Sequence, residues 1–400
     1  MSRSWDLIAV GGGLGGAALA KVMAERGARV LVVEKTREFR DRVRGEGLVP
    51  WGCEEAERLG LLELLRPLAN PLRWWDFLVR GERVMRRDIE AASGSGNCLL
   101  SFYHPSMQQT VLDAAERSGA EVRRGAAARA VRRGAAVEVE IDGGKSLAAR
   151  MVVVANGRGS PLRRVAGFEP KRDRQRRLFA GVYLERVDAP TDVLHSALDL
   201  ERGRVSYVFP QGLGRARAYV GEHVENGEIR LQGAGHVARF IAAARAIGFP
   251  EAFYREAKAA GPLATFDATD EWVEHPYKEG VALVGDAAAT SDPTWGQGMA
   301  LTLRDVRVLA DALARESDWN RAGHEYASAH DAYHAIVHRC DLWYTELLLE
   351  IGPEADARRA RVLPHLLADP ERLHDTPVGG PDRFPADEAA RQRFFALDVG

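Results

Sequence analysis

Cysteine is scarce in this chain. Cys53, Cys98 and Cys340 are the three in 400 residues, and they form no Cys-x-x-Cys pair and no Cys/His spacing of a metal site. An odd, sparse count excludes a disulfide-framed secreted scaffold and leads us to expect a reducing, cytoplasmic setting and no metal. Long apolar runs are missing too: none approaches the ~20 residues of a membrane span. The start, Met1-Ser2-Arg3, passes straight into a strand-like run with no signal-peptide pattern, so no membrane partner is expected. Nor is there an excess of charge, because 55 Lys and Arg face 57 Asp and Glu for a formal charge of -2. Without a basic surplus, nucleic acid is excluded as the expected partner.

What the chain does have is a globular composition, 46% hydrophobic and 28% charged. At roughly 150 residues per domain, its length predicts two or three domains with a full core. Asp6 to Val10 reads as a buried strand, the next six residues as a tight turn, Ala17 to Arg26 as a helix stopped by Gly27, and Ala28 to Glu34 as a second buried strand. This is a βαβ unit, and its turn, Gly11-Gly12-Gly13-Leu14-Gly15-Gly16, carries the G-x-G-x-x-G spacing. Gly11 permits the tight turn, Gly13 lets backbone approach a diphosphate, and Gly16 lets helix pack on strand. The diphosphate then meets free N–H groups at the helix N-terminus. Glu34, at the end of the second strand, suits the two ribose hydroxyls and repels a 2′-phosphate, so FAD or NAD is favoured over NADP at this place.

Downstream, a helix is expected around Glu54 to Leu65, a strand-like stretch through Trp74, Trp75, Phe77 and Val79, a loop over Ala92 to Asn97, and a helix from Ser106 to Gly119. Val131 to Val154 reads as a meander turned at Asp142-Gly143-Gly144. From Leu178 to about Asp270 the strands are aromatic and predict a second, mostly antiparallel sheet. Gln211-Gly212-Leu213-Gly214 joins two of those strands as a hairpin. Gly280 to Asp286 returns to the buried-strand style, and Pro293-Thr294-Trp295-Gly296-Gln297-Gly298 opens another helix. An Asp at a strand end suits the hydroxyls of a ribityl chain, and a helix N-terminus near Gly298 suits negative charge on a reduced flavin, so this second site favours FAD.

The three segments Gly11 to Gly16 with Glu34, Val154-Ala155-Asn156-Gly157-Arg158-Gly159-Ser160, and Gly285-Asp286 with Pro293 to Gly298 together resemble the fingerprints of single-component FAD-dependent aromatic hydroxylases of the p-hydroxybenzoate hydroxylase type. The resemblance covers about residues 5 to 330. It implies an α/β fold: a Rossmann-like, glutathione-reductase-type FAD domain over 1–72, 100–170 and 276–325, an inserted antiparallel-sheet substrate domain over 73–99 and 171–275, and a helical C-terminal region over 326–400. It further implies FAD, NAD(P)H as co-substrate, dioxygen, and transfer of one oxygen from a flavin C4a-hydroperoxide to an aromatic or polyketide-like small molecule, in a monomer or homodimer.

On that reading the cofactor-binding residues are Gly11, Gly13, Leu14, Gly15, Gly16, Glu34, Lys35, Arg44, Asn156, Asp286, Gly296, Gly298 and Met299. Pro293, Trp295 and Gln297 are the candidates beside the flavin ring, and Trp75, Tyr183, Tyr207, Phe209 and Tyr219 the candidates for a substrate wall. His104 and His223 are candidates to assist deprotonation of a phenol. The chain departs from the family pattern at Asn156, where Asp is usual, at Ala289, where His is frequent, and at His104-Pro105, where relatives commonly carry an arginine. The alternatives are a reductase or dehydrogenase on the same scaffold, a halogenase, whose Trp-x-Trp-x-Ile-Pro element is missing here, and a non-catalytic FAD-binding redox sensor.

Overall fold

The computed structural model describes residues 5–43, 45–134, 136–227 and 230–397. Two sheets organise it. In the first, Trp5–Val10 lies between Val30–Glu34 and Lys145–Val154, parallel to both, with Val281–Leu283 outside Lys145–Val154 and Glu121–Arg124 outside Val30–Glu34. The central strands are apolar throughout because both faces are covered, as a parallel sheet requires. Leu7, Ile8, Ala9, Val32 and Val153 have no exposed surface. The Leu14–Glu25 helix follows the first strand directly and packs against the His104–Arg117 and Gly298–Arg315 helices. The meander Ala128–Arg132, Val137–Ile141 and Lys145–Val154 is antiparallel, as the Asp142-Gly143-Gly144 turn predicts.

The second sheet runs Arg177–Glu185, Ala216–His223, Arg204–Pro210, Val193–Asp199, Trp74–Val79, Glu82–Asp88, with Ala264–Asp267 and Lys258–Ala259 against Arg177–Glu185. It is antiparallel except where Val193–Asp199 lies parallel to Trp74–Val79. Alternation along these strands divides their side chains between two faces. Ala180, Val182, Leu184, Val208, Ala218 and Val220 form an apolar layer with Phe240, Ala244 and Ile247 of the Val237–Ile247 helix. The opposite face carries the aromatics and turns toward the first sheet. Register fixes this: Phe179 pairs with Gly221, Gly181 with Tyr219, and Tyr219 with Tyr207.

The segment expected as a loop at Ala92 begins as the last turn of the Ile89–Ser93 helix, capped by the Asp88 side chain and ended by Gly94 at φ 68°. The tail is helical over Trp319–Leu348 and Pro353–Ala368. It then runs as an irregular strap with a short closing helix, Glu388–Phe394. Among the described residues no helix is long and apolar enough to cross a membrane.

Candidate functional site: a flavin cradle continuous with an aromatic cavity

The site begins at the Gly-rich turn. Gly11 adopts φ +109°, and a Cβ there would stand 2.5 Å from Ala155 O. A Cβ on Gly16 would stand 1.9 Å from Gly11 O. Both contacts are backbone, so neither position admits a side chain without moving one backbone segment against another. Gly13 is the N-cap of the Leu14–Glu25 helix and has no side-chain cap, which leaves the first N–H groups of that helix for an anion. The Glu34 carboxylate is buried. It accepts hydrogen bonds from Gly12 N at 2.7 Å, Thr36 N at 2.8 Å and Thr36 Oγ1 at 2.7 Å. It is thus held rigidly at the edge of the turn.

A cavity of about 410 Å³ runs from this turn to the aromatic face of the second sheet. Of the residues singled out in the sequence, Gly11, Gly13, Leu14, Gly15, Glu34, Lys35, Asn156, Asp286, Pro293, Trp295, Gly296, Gly298 and Met299 line it, and so do Trp75, Tyr207, Phe209 and Tyr219. The loop between Asp286 and Gly298 is stiffened at Asp292, whose side chain accepts from Thr294 N at 2.9 Å and is paired with Arg177. Tyr207 Oη donates to Thr294 O at 2.9 Å, tying the aromatic sheet to this loop. Trp75 Nε1 donates to Ser196 Oγ at 2.6 Å, which fixes the indole in the wall.

Several expected residues lie elsewhere. Gln297 is fully buried with its amide Nε2 donating to Asp341 Oδ1 at 2.8 Å, so its side chain turns into the C-terminal helix and away from the cavity. Tyr183 shares the aromatic face but lies beyond Arg217, whose guanidinium sits 5.3 Å from its ring, and packs on Tyr103 instead. Gly16 serves helix packing and does not reach the cavity. His223 is also outside it; burial holds its imidazole below the usual range, and its Nδ1 accepts from Glu225 N at 3.3 Å. His104 does line the cavity, with Nδ1 2.7 Å from Gly45 O, where it positions the chain beside Glu46. Arg44 lies outside the described residues.

Sequence reading missed a buried charge cluster at the substrate end. Arg217 is fully buried, 2.7 Å from Asp41 Oδ1 and 3.0 Å from Glu46 Oε1, and Tyr219 Oη donates to Glu46 Oε2. Burial raises the Glu46 carboxyl above its ordinary value, against the opposing pull of Arg217. Burial and the neighbouring Glu46 raise the Tyr219 phenol further still, so at neutral pH Tyr219 is the donor. No sequence pattern marked Glu46, and Arg217 read as one strand arginine among many. Phe179, Leu194 and Phe266 were missed as well, and complete the apolar wall.

The cavity suits FAD. Two backbone approaches that a Cβ would block flank its diphosphate end. Asn156 Oδ1 and Trp295 Nε1, on residues that line the cavity, are buried without a protein hydrogen-bond partner. A Cβ added at Gly298, the first residue of the Gly298–Arg315 helix, would meet nothing within 4 Å. Buried polar atoms without partners are rare and mark places where a ligand supplies the missing bond.

The comparisons agree. The family described as "FAD binding domain" matches residues 5–340. The 6-methylpretetramide 4-monooxygenase of Streptomyces rimosus is 28% identical over 335 residues, 78% of this chain and 76% of its own. A digeranylgeranylglycerophospholipid reductase of Methanopyrus kandleri (strain AV19) is 28% identical over 331 residues, 78% of this chain and 77% of its own. The crystal structure of p-nitrophenol 4-monooxygenase from Pseudomonas putida DLL-E4 superposes with a TM-score of 0.80 at 19% identity, covering 94% of this chain and 97% of that one, and so shares the fold. The chain belongs to the FAD binding domain family and is an FAD-dependent monooxygenase.

Proposed function

We propose that this monooxygenase uses NAD(P)H and dioxygen to hydroxylate a flat aromatic or polyketide-like small molecule held against the aromatic face of the second sheet. One observation carries the reading: a single cavity joins the dinucleotide turn to a wall of Trp75, Phe179, Tyr207, Phe209, Tyr219 and Phe266. FAD, when bound, supplies electron transfer from NAD(P)H to dioxygen and delivery of oxygen to the ring. The chain supplies placement and dryness. Glu34 holds the ribose, Gly11 and Gly13 admit the diphosphate, and Asn156 and Asp286 offer polar atoms to the middle of the cofactor. The backbone from Gly296 to Gly298 presents a helix N-terminus to the polar edge of the ring. Pro293 and Trp295 wall the ring off from water, so that reactive oxygen is spent on substrate. The protein works as a monomer or homodimer.

The Methanopyrus relative, a reductase by its name, supports a second reading in which the same cradle reduces its substrate without oxygen. The test is to titrate FAD-loaded protein with phenols and polycyclic phenolic polyketides while recording flavin absorbance and NAD(P)H oxidation in air. The expected result is that ligands perturbing the flavin spectrum also accelerate NAD(P)H oxidation, and that Trp75→Ala removes both effects with FAD content unchanged. Acceleration that persists without oxygen, with loss of a substrate double bond, would favour the reductase.

A further inference from the structure

Behind the loop that walls the cavity lies a second, small cavity of about 20 Å³, lined by Asp173, Asp270, Asp292 and Asp341 together with Arg174, Arg176 and Arg177. Segment 291–294 separates the two: Ser291, Pro293 and Thr294 line the large one, and Asp292 lines the small one. At its edge, Asp173, Asp270 and His338 bring one ligand-type atom each to within 4.8 Å of one another. His338 Nε2 is 2.7 Å from Asp173 Oδ2 and 3.9 Å from Asp270 Oδ2.

The charges around this cavity do not cancel. Arg174 is engaged by Glu225 and Arg176 by Glu350, so both are matched outside the cavity. Arg177 pairs with Asp292, and Arg158 donates to the carbonyls of Asp267 and Thr269 nearby. That leaves Asp173 and Asp270 facing His338, while Asp341 accepts from Gln297 Nε2. The Asp270 side chain is only 5% exposed, and its Oδ1 has no hydrogen-bond partner. A buried carboxylate oxygen with nothing to bind is costly, and a cation relieves it directly.

We propose that Asp173, Asp270 and His338 bind one divalent transition-metal ion of the Mn²⁺ or Zn²⁺ kind. One imidazole nitrogen with two carboxylates is a donor set for such ions, whereas Mg²⁺ and Ca²⁺ take oxygen alone. Ligands about 2.1 Å from a shared ion lie up to about 4.2 Å apart, so the observed spacing needs only a small carboxylate rotation. The cavity leaves room for water to complete the shell. His338 is held for this purpose: Trp272 lies 4.7 Å from its ring and His334 stacks on it at 5.6 Å with planes 8° apart. The three ligands come from separate segments, which is why no sequence spacing announces them. Because Asp292 shares the cavity, an ion here braces the loop of Pro293 and Trp295 from behind.

The test uses full-length, FAD-loaded protein stripped with EDTA, returned to chelator-free buffer and titrated calorimetrically with MnCl₂ and, separately, ZnCl₂. The wild type is expected to bind one equivalent, and Asp270→Asn and His338→Gln each to weaken binding by at least about tenfold. His236→Gln, on a distant 3₁₀ turn, should bind as the wild type does. Asp173→Asn, at a more exposed ligand, serves if either buried variant fails to fold, as judged by circular dichroism. Absence of saturable binding in the wild type at millimolar metal, or equal binding by wild type and folded ligand variants, would overturn the site and leave a proton- and water-filled cavity.

Discussion

A single methyl group separates a working dinucleotide turn from a broken one in this chain. A Cβ at Gly16 meets Gly11 O, whereas at Gly13 it meets only the end of the Gln108 side chain, at 3.3 Å. Gly16→Ala should therefore lower the melting temperature and yield protein without yellow colour. Gly13→Ala should fold normally, with weaker FAD retention measured from the ratio of flavin to protein absorbance. Arg217 presents the opposite case, a residue whose own charge is the liability. Its removal leaves Glu46 and Asp41 buried without their cation, so Arg217→Ala should cost about 3–5 kcal/mol in urea unfolding. The glycines were legible in the sequence because their reasons are local. Arg217 was not, because its partners lie some 170 residues away and nothing in an alternating strand marks which arginine points inward.

At the scale of elements, the C-terminal strap shows how the tail is fastened. Arg87 holds Asp375, Arg304 holds Asp382 Oδ2 at 2.5 Å, Arg383 reaches Ser93 O, and Tyr344 Oη donates to His374 O at 2.9 Å. Burial raises the Asp375 carboxyl to about 7 against the pull of Arg87. An acid whose folded value lies above its unfolded one stabilises the fold below the unfolded value and loses that contribution as pH rises toward the folded one. Thermal melts of the wild type should accordingly show Asp375 costing stability between about pH 4 and pH 7. Asp375→Asn should flatten that part of the profile, and an unchanged slope would contradict the assignment. The family resemblance implied a helical tail. Its pairing with the body rests on ion pairs and hydrogen bonds up to 329 residues apart, which leave no periodic trace. The second sheet is similar. Its strands were readable from aromatic and β-branched runs, but the parallel seat of Val193–Asp199 beside Trp74–Val79 depends on partner and register, as does the fate of Tyr183 behind Arg217.

For the whole molecule, the βαβ unit, the return strand before Asp286 and the helix from Gly298 were each visible as local patterns, and together they implied the flavin fold. The joining of cradle and aromatic wall into one cavity was not visible, because it depends on which face of the second sheet turns toward the first. That junction carries the functional account, since it puts a flat substrate where a bound flavin can reach it and little water can. The most direct measurement is turnover of FAD-loaded protein with NAD(P)H under ¹⁸O₂, against a phenolic polyketide selected by flavin perturbation, with products read by mass spectrometry. The account predicts a product heavier by one ¹⁸O atom, formed only when oxygen is present. A product that gains two hydrogens and no label, formed equally well without oxygen, would contradict it.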